Sequence, residues 1–261
     1  MNNKRILFTH LKNERGLGTV EVLVASVIAL IILAATVILF TSNQSKLQDE
    51  NDIANIQAKG RFAVDKIEEE IRMAGFGLPP LQGLTAISAN SISFRSNLND
   101  VRTTTPPCTA CPGTIAGSIG DTTLTVVDES GFSSGDKIVI YDPNLNQWEL
   151  NTVTGTAAGT LSLGSGLTND YIYGINTNLV TVNKYSDITV ALSGANITRT
   201  VDGTVTNLIN DVDATSGIVF NYYGLTVPST IQRLGFTLNA IDPNNSGAVV
   251  EFKTDVSLRN S

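Results

Sequence analysis

The stretch Arg15-Gly16-Leu17-Gly18-Thr19-Val20-Glu21, continued without a charge by VLVASVIALIILAATVILF at residues 22–40, decides how the chain is read. Those 19 uncharged residues carry only Ser26 and Thr36 as side-chain hydrogen bonders. At ~1.5 Å per residue they make ~28 Å of helix, enough to span a bilayer. A secretory signal has an apolar core of about 7–15 residues and then a small-residue cleavage site, and nothing of that kind follows Phe40. Before the run, residues 1–16 hold Lys4, Arg5, Lys12 and Arg15 against the single acid Glu14. The positive-inside rule keeps this leader in the cytoplasm and puts everything after Phe40 outside. Glu21 stands at the edge of the apolar run. A carboxylate in lipid costs up to a few kcal/mol unless it lies at the interface or finds a partner, and an anchor has no need of one.

Composition agrees with a chain built only partly for water. Charged residues make up 16% of the 261, against roughly 25% in an average soluble domain. The length exceeds the usual 100 to 200 residues of one domain, so a globular unit plus an extra segment is expected. Net charge is -7 with no Lys/Arg run, which argues against a nucleic-acid partner, because phosphate binding depends on clustered positive charge. Two cysteines are too few for a disulfide scaffold, so the fold must rest on a packed core.

After Phe40 the sequence turns polar but has no proline before Pro79. Ile53, Ile56, Gly60, Ala63, Ile67, Ile71 and Ala74 recur at steps of three and four, which predicts an amphipathic helix with one stripe against a core. Gly75, Gly77 and Pro79-Pro80 supply the stop. One long helix over residues 17–78 is therefore expected, with residues 22–40 in the membrane.

Beyond Pro80 the chain is rich in Thr, Ser, Asn and Gly with short apolar alternations, which reads as antiparallel sheet. Leu234, Phe236, Leu238 and Ala240 alternate, then Val250, Phe252, Thr254, Val256 and Leu258 alternate after a turn cluster at 242–247, giving a hairpin with one buried face. Ile218, Phe220 and Tyr222 predict another strand, and Asp202-Gly203 predicts a hairpin turn. Residues 114–175 read as an inserted small β module, with strands near 122–127, 137–141, 149–153 and 160–163. The fold expected is α+β: the long helix on an antiparallel head that starts at 79–113 and whose core sheet resumes over 176–261.

The string from Arg15 to Ala25 resembles the processing site of type IV prepilins: basic leader, glycine, apolar residue, and glutamate five residues past the cut. The resemblance implies that a prepilin peptidase cuts between Gly16 and Leu17 and methylates the new amine of Leu17. It further implies that Glu21 meets the cationic amine of a neighbouring subunit in a packed filament. Gln57 to Asp65, containing Arg61-Phe62-Ala63, and Glu70-Ile71-Arg72-Met73-Ala74-Gly75-Phe76-Gly77 resemble the helix end of the PilW family of minor pilins. Phe252 to Asn260 is similar to that family's final strand. The family often has a cysteine where this chain has Leu78, and many major pilins have a helix-bending proline where this chain has Ile38.

By that resemblance the protein is a minor pilin acting in pilus assembly initiation or in a tip complex. It acts by contact, without catalysis or cofactors, and has a pilin-like fold. Its partners would be the prepilin peptidase, other minor pilins, the major pilin and the inner-membrane assembly platform. It would sit in the inner membrane as a single-pass protein with its head outside, then in the pilus. The alternatives are a pseudopilin of type II secretion, which shares leader, helix and head, and a signal-anchored periplasmic domain with an uncut N-terminus.

Candidate chemistry is sparse. The single histidine, His10, lies in the leader, so cleavage would leave none for Ser-His-Asp or Cys-His schemes or for metal ligation. Without the leader, Lys plus Arg falls from 17 to 13 and Asp plus Glu from 24 to 23, a net charge near -10. Cys108 and Cys111 form a C-x-x-C; Pro112 stands where haem attachment needs histidine, and zinc needs two further ligands. In an oxidising periplasm a small local disulfide is expected, with free thiols or exchange chemistry as alternatives. Asp142-x-Asn144-x-Asn146 and Asp242-x-Asn244-x-Ser246-Gly247 begin like calcium loops, but their twelfth positions are Val153 and Lys253, so ordinary turns are expected and no metal. Calcium through Asp211 and Asp213 is the alternative. Trp148 and the tyrosines are expected in core or turn packing.

Overall fold

A computed structural model describes residues 18–107, 114–173, 179–242 and 249–258. These fall into two compact units that meet in sequence between Asp52 and Ile53. The helix α1, Thr19–Arg72, contributes to both.

In the first unit, residues 18–51 are all exposed. This part of α1 is long and apolar enough to cross a membrane. Its hydroxyls are satisfied within the helix: Ser26 Oγ donates to the Leu23 carbonyl at 2.8 Å and Thr36 Oγ1 to that of Ile32 at 2.8 Å. Such back-bonding lets a polar side chain sit in lipid without an orphan donor.

In the second unit α1 becomes amphipathic. Ile56, Gly60, Ala63, Ile67 and Ile71 are buried, while Ile53 is 45% exposed, so the stripe begins one turn later than its period predicts. The helix ends at Arg72. The chain then turns through Gly75 and Gly77, both in the left-handed region at φ 79° and 74°, which glycine adopts without a Cβ penalty.

The strands follow in chain order. First come β1 Leu84–Ile87, β2 Ser91–Ser96 and β3 Arg102–Thr104. Next are β4 Ile115–Gly117, β5 Thr123–Thr125, β6 Lys137–Asp142, β7 Gln147–Ala157, β8 Thr160–Leu163 and β9 Tyr171–Ile172. Last are β10 Thr181–Ser193, β11 Asn196–Val201, β12 Thr204–Asn210, β13 Ile218–Asn221, β14 Arg233–Ile241 and β15 Val249–Ser257. All pairings are antiparallel.

β10 organises the sheet. Along one edge it pairs β2 with its second half and β3 with its first; along the other it pairs β11 and β6 in the same way. One apolar core packs Ala63, Ile67 and Ile71 of α1 against Phe94, Ile188, Leu234, Phe236 and Val256. A second core, within β5 to β10, gathers Leu124, Ile138, Val153, Leu161, Tyr171 and Val182. This second core runs from Ala116 to Val182, and hydrogen bonds along β10 join it to the helix-backed half.

The β14–β15 pair has the expected register, with Leu234 opposite Val256 and Leu238 opposite Phe252; its connecting turn, 243–248, lies outside the described residues. Asp202 and Gly203, at φ 47° and 88°, form the two-residue turn between β11 and β12. Leu78 is buried against Val139 and Tyr185. Trp148 departs from expectation: it is 38% exposed, because it pairs with Tyr141 on the face of the β6–β7 hairpin turned away from the second core.

Candidate functional site

The strongest candidate surface is the uncovered length of α1. Leu23, Ile28, Leu30, Ile31, Leu33, Ile38 and Phe40 each leave more than half of their surface open. A contiguous apolar surface of this size has no place in water and calls for lipid or neighbouring helices.

Glu21 is the acid in the first turn of this helix. Its N–H donates to the Gly18 carbonyl at 2.8 Å, starting the helix there. A carboxylate at that end is favoured by the helix dipole. Glu21 shares a shallow groove with Gly18, Val20, Val24, Ala25 and Ile28. Among the described residues nothing lies within 4 Å of where a Gly18 Cβ would stand. Gly16 and Leu17 lie outside the described residues, as do Cys108 and Cys111, so neither the Leu17 amine nor the cysteine pair enters this geometry.

The packed part of α1 is held by more than its stripe. Arg199 on β11 donates from Nε to Glu70 Oε2 at 2.7 Å, and both side chains are largely covered. Lys59 pairs with Asp211. Gly60 meets the Phe252 ring, where an added Cβ would come within 2.1 Å of Cε2. Glycine at that step of the stripe therefore lets β15 lie against the helix.

Where the two cores meet along β10, Lys137 Nζ donates to Asp187 and to Asp202, each at 2.7 Å. These hydrogen bonds, that to Asp187 first, hold the Lys137 ammonium well above its usual range. Arg95 reaches Asp187 at 3.2 Å and lies 5.4 Å over the Tyr185 ring. No short-range signal marks these residues, because Lys137 and Asp187 are 50 positions apart.

Of the acids considered for calcium, Asp142 and Asp213 serve turns and Asp211 pairs with Lys59. Asp142 Oδ1 accepts the N–H of Asn144 at 2.8 Å and that of Leu145 at 3.4 Å. Asp213 Oδ1 accepts from the hydroxyls and amides of Thr215 and Ser216, which hold its carboxyl well below the usual range. Among the described residues no three His, Cys, Asp or Glu side chains converge. Sequence reading missed Glu149, which is 7% exposed within the module.

No protein-family model matches the chain, and no curated protein does. Among solved structures it is similar to the Gp54 tailspike of Acinetobacter baumannii bacteriophage AP22, solved with a capsular saccharide, at 17% identity. That likeness covers 35% of this chain and 15% of the tailspike chain, with a TM-score of 0.26, too slight to carry an argument about fold or function.

Proposed function

We propose that the chain is a minor pilin of a type IV pilus, which enters the fibre during assembly initiation or at its tip through helix packing and head contacts. The observation that carries this reading is the prepilin-like string at 15–25 running directly into a helix that is apolar and uncovered before it becomes amphipathic. In this reading the peptidase removes residues 1–16, and the helix anchors the subunit in the inner membrane with its head outside. The helix then leaves lipid for a filament core of other minor pilins and the major pilin. Glu21 neutralises the Leu17 amine of a neighbour; an unpaired charge in that apolar core would cost several kcal/mol. The head, pilin-like in resting an antiparallel sheet on the helix, presents the variable surface.

Mass spectrometry of the chain from cells with an active prepilin peptidase tests the reading. N-methyl-Leu17 at the N-terminus is expected, and Gly16→Val should leave the leader attached. An intact leader in wild-type cells would overturn it. Deletion distinguishes the pseudopilin: loss of fibres supports the pilus, and loss of secretion with fibres intact supports type II secretion.

A further inference from the structure

Glu149 is an anomaly that the pilin reading does not use. Its Oε2 accepts from the Thr168 amide at 2.7 Å and from the Thr168 hydroxyl, but its buried Oε1 has no hydrogen-bond partner among the described residues. The β6–β7 register places Ile140 opposite Glu149 and Asp142 opposite Gln147. Asp142, 1% exposed, and Glu149 are therefore diagonal neighbours on one face, with backbones ~7–8 Å apart and within reach of a glutamate side chain. Among the described residues no Lys or Arg pairs with either acid. Two buried carboxylates without a cation are costly, and proteins meet that cost with a proton, a partner or a metal.

The surroundings are oxygen-rich. Thr168 is bound to Glu149, and the Asn169 amide reaches Thr168 Oγ1 at 3.2 Å and the Tyr171 hydroxyl at 3.5 Å. The Tyr171 hydroxyl, linked through Asn169 and Thr168 to Glu149, is a further neutral oxygen at this place. We infer that this end of the module binds a divalent cation of the calcium class, with Glu149 and Asp142 as its charged ligands. The remaining oxygens come from Tyr171, Thr168 and water. Asp142 is the first residue of the calcium-like string that fails at Val153; the hairpin supplies Glu149 as the second acid. Two carboxylates make a weak site, with a Kd of about 10⁻⁴–10⁻³ M, in the range of extracellular calcium modules.

The test uses the full chain in detergent micelles, stripped with EGTA. Terbium should give luminescence sensitised by the aromatic residues, and calcium should displace it. At 10 mM calcium the Tm should rise by about 2–5 °C. Glu149→Gln should abolish both responses. Asp142→Asn keeps the acceptor for the Asn144 and Leu145 amides, removes the charge, and should weaken calcium binding at least tenfold; it decides the matter if Glu149→Gln fails to fold. An unchanged calcium response in the variants, or none in the wild type, would overturn the inference.

Discussion

Two parts of one helix meet two different environments. Over residues 22–40, α1 shows apolar side chains all round and buries none of them among the described residues; after Ile53 it buries a narrow stripe and leaves its other face polar. The backbone is the same in both, so the side-chain pattern alone separates a surface made for lipid or other subunits from one made for the chain's own sheet. Equal mutations in the two parts should therefore have unequal effects.

Ile67, fully buried, carries the largest expected effect. Ile67→Ala should cost about 2–5 kcal/mol of head stability in denaturant unfolding, by lost transfer energy and a cavity. Ile31→Ala should leave head unfolding within about 0.5 kcal/mol, since that side chain touches no core. Equal losses would break the comparison. Next, Ile31→Arg should disfavour insertion by about 2.5–3.5 kcal/mol and shift the chain out of the membrane fraction of cells. Head unfolding should not change. The smaller loss expected of the head itself is that of Gly60→Ala, which forces the Phe252 ring to move and should cost about 1–3 kcal/mol, read as a lower denaturant midpoint.

Legibility follows the range of the interaction that makes each feature. The β14–β15 hairpin and the Asp202-Gly203 turn could be read because alternation and turn chemistry are local. So could the stripe from Ile56 to Ile71. The role of β10 could not, because one strand serving β2, β3, β6 and β11 joins residues up to about a hundred positions apart. That Trp148 lies beside the β6–β7 turn and not in the core could not be read, because an aromatic residue in a strand says nothing about which face it takes. Glu149 looked like one acid among many, since its burial depends on Thr168 and the β8–β9 connection closing over it.

By itself the sequence determined that an uncharged run long enough for a bilayer leads into an amphipathic helix and then a β-rich head, because length, charge and period are properties of neighbouring residues. Only the tertiary structure decided that the head has two cores strung on β10, that Lys137 is shared between Asp187 and Asp202, and that Glu149 lies buried with a bare oxygen. Burial and pairing are set by residues far along the chain, and no local pattern carries that information.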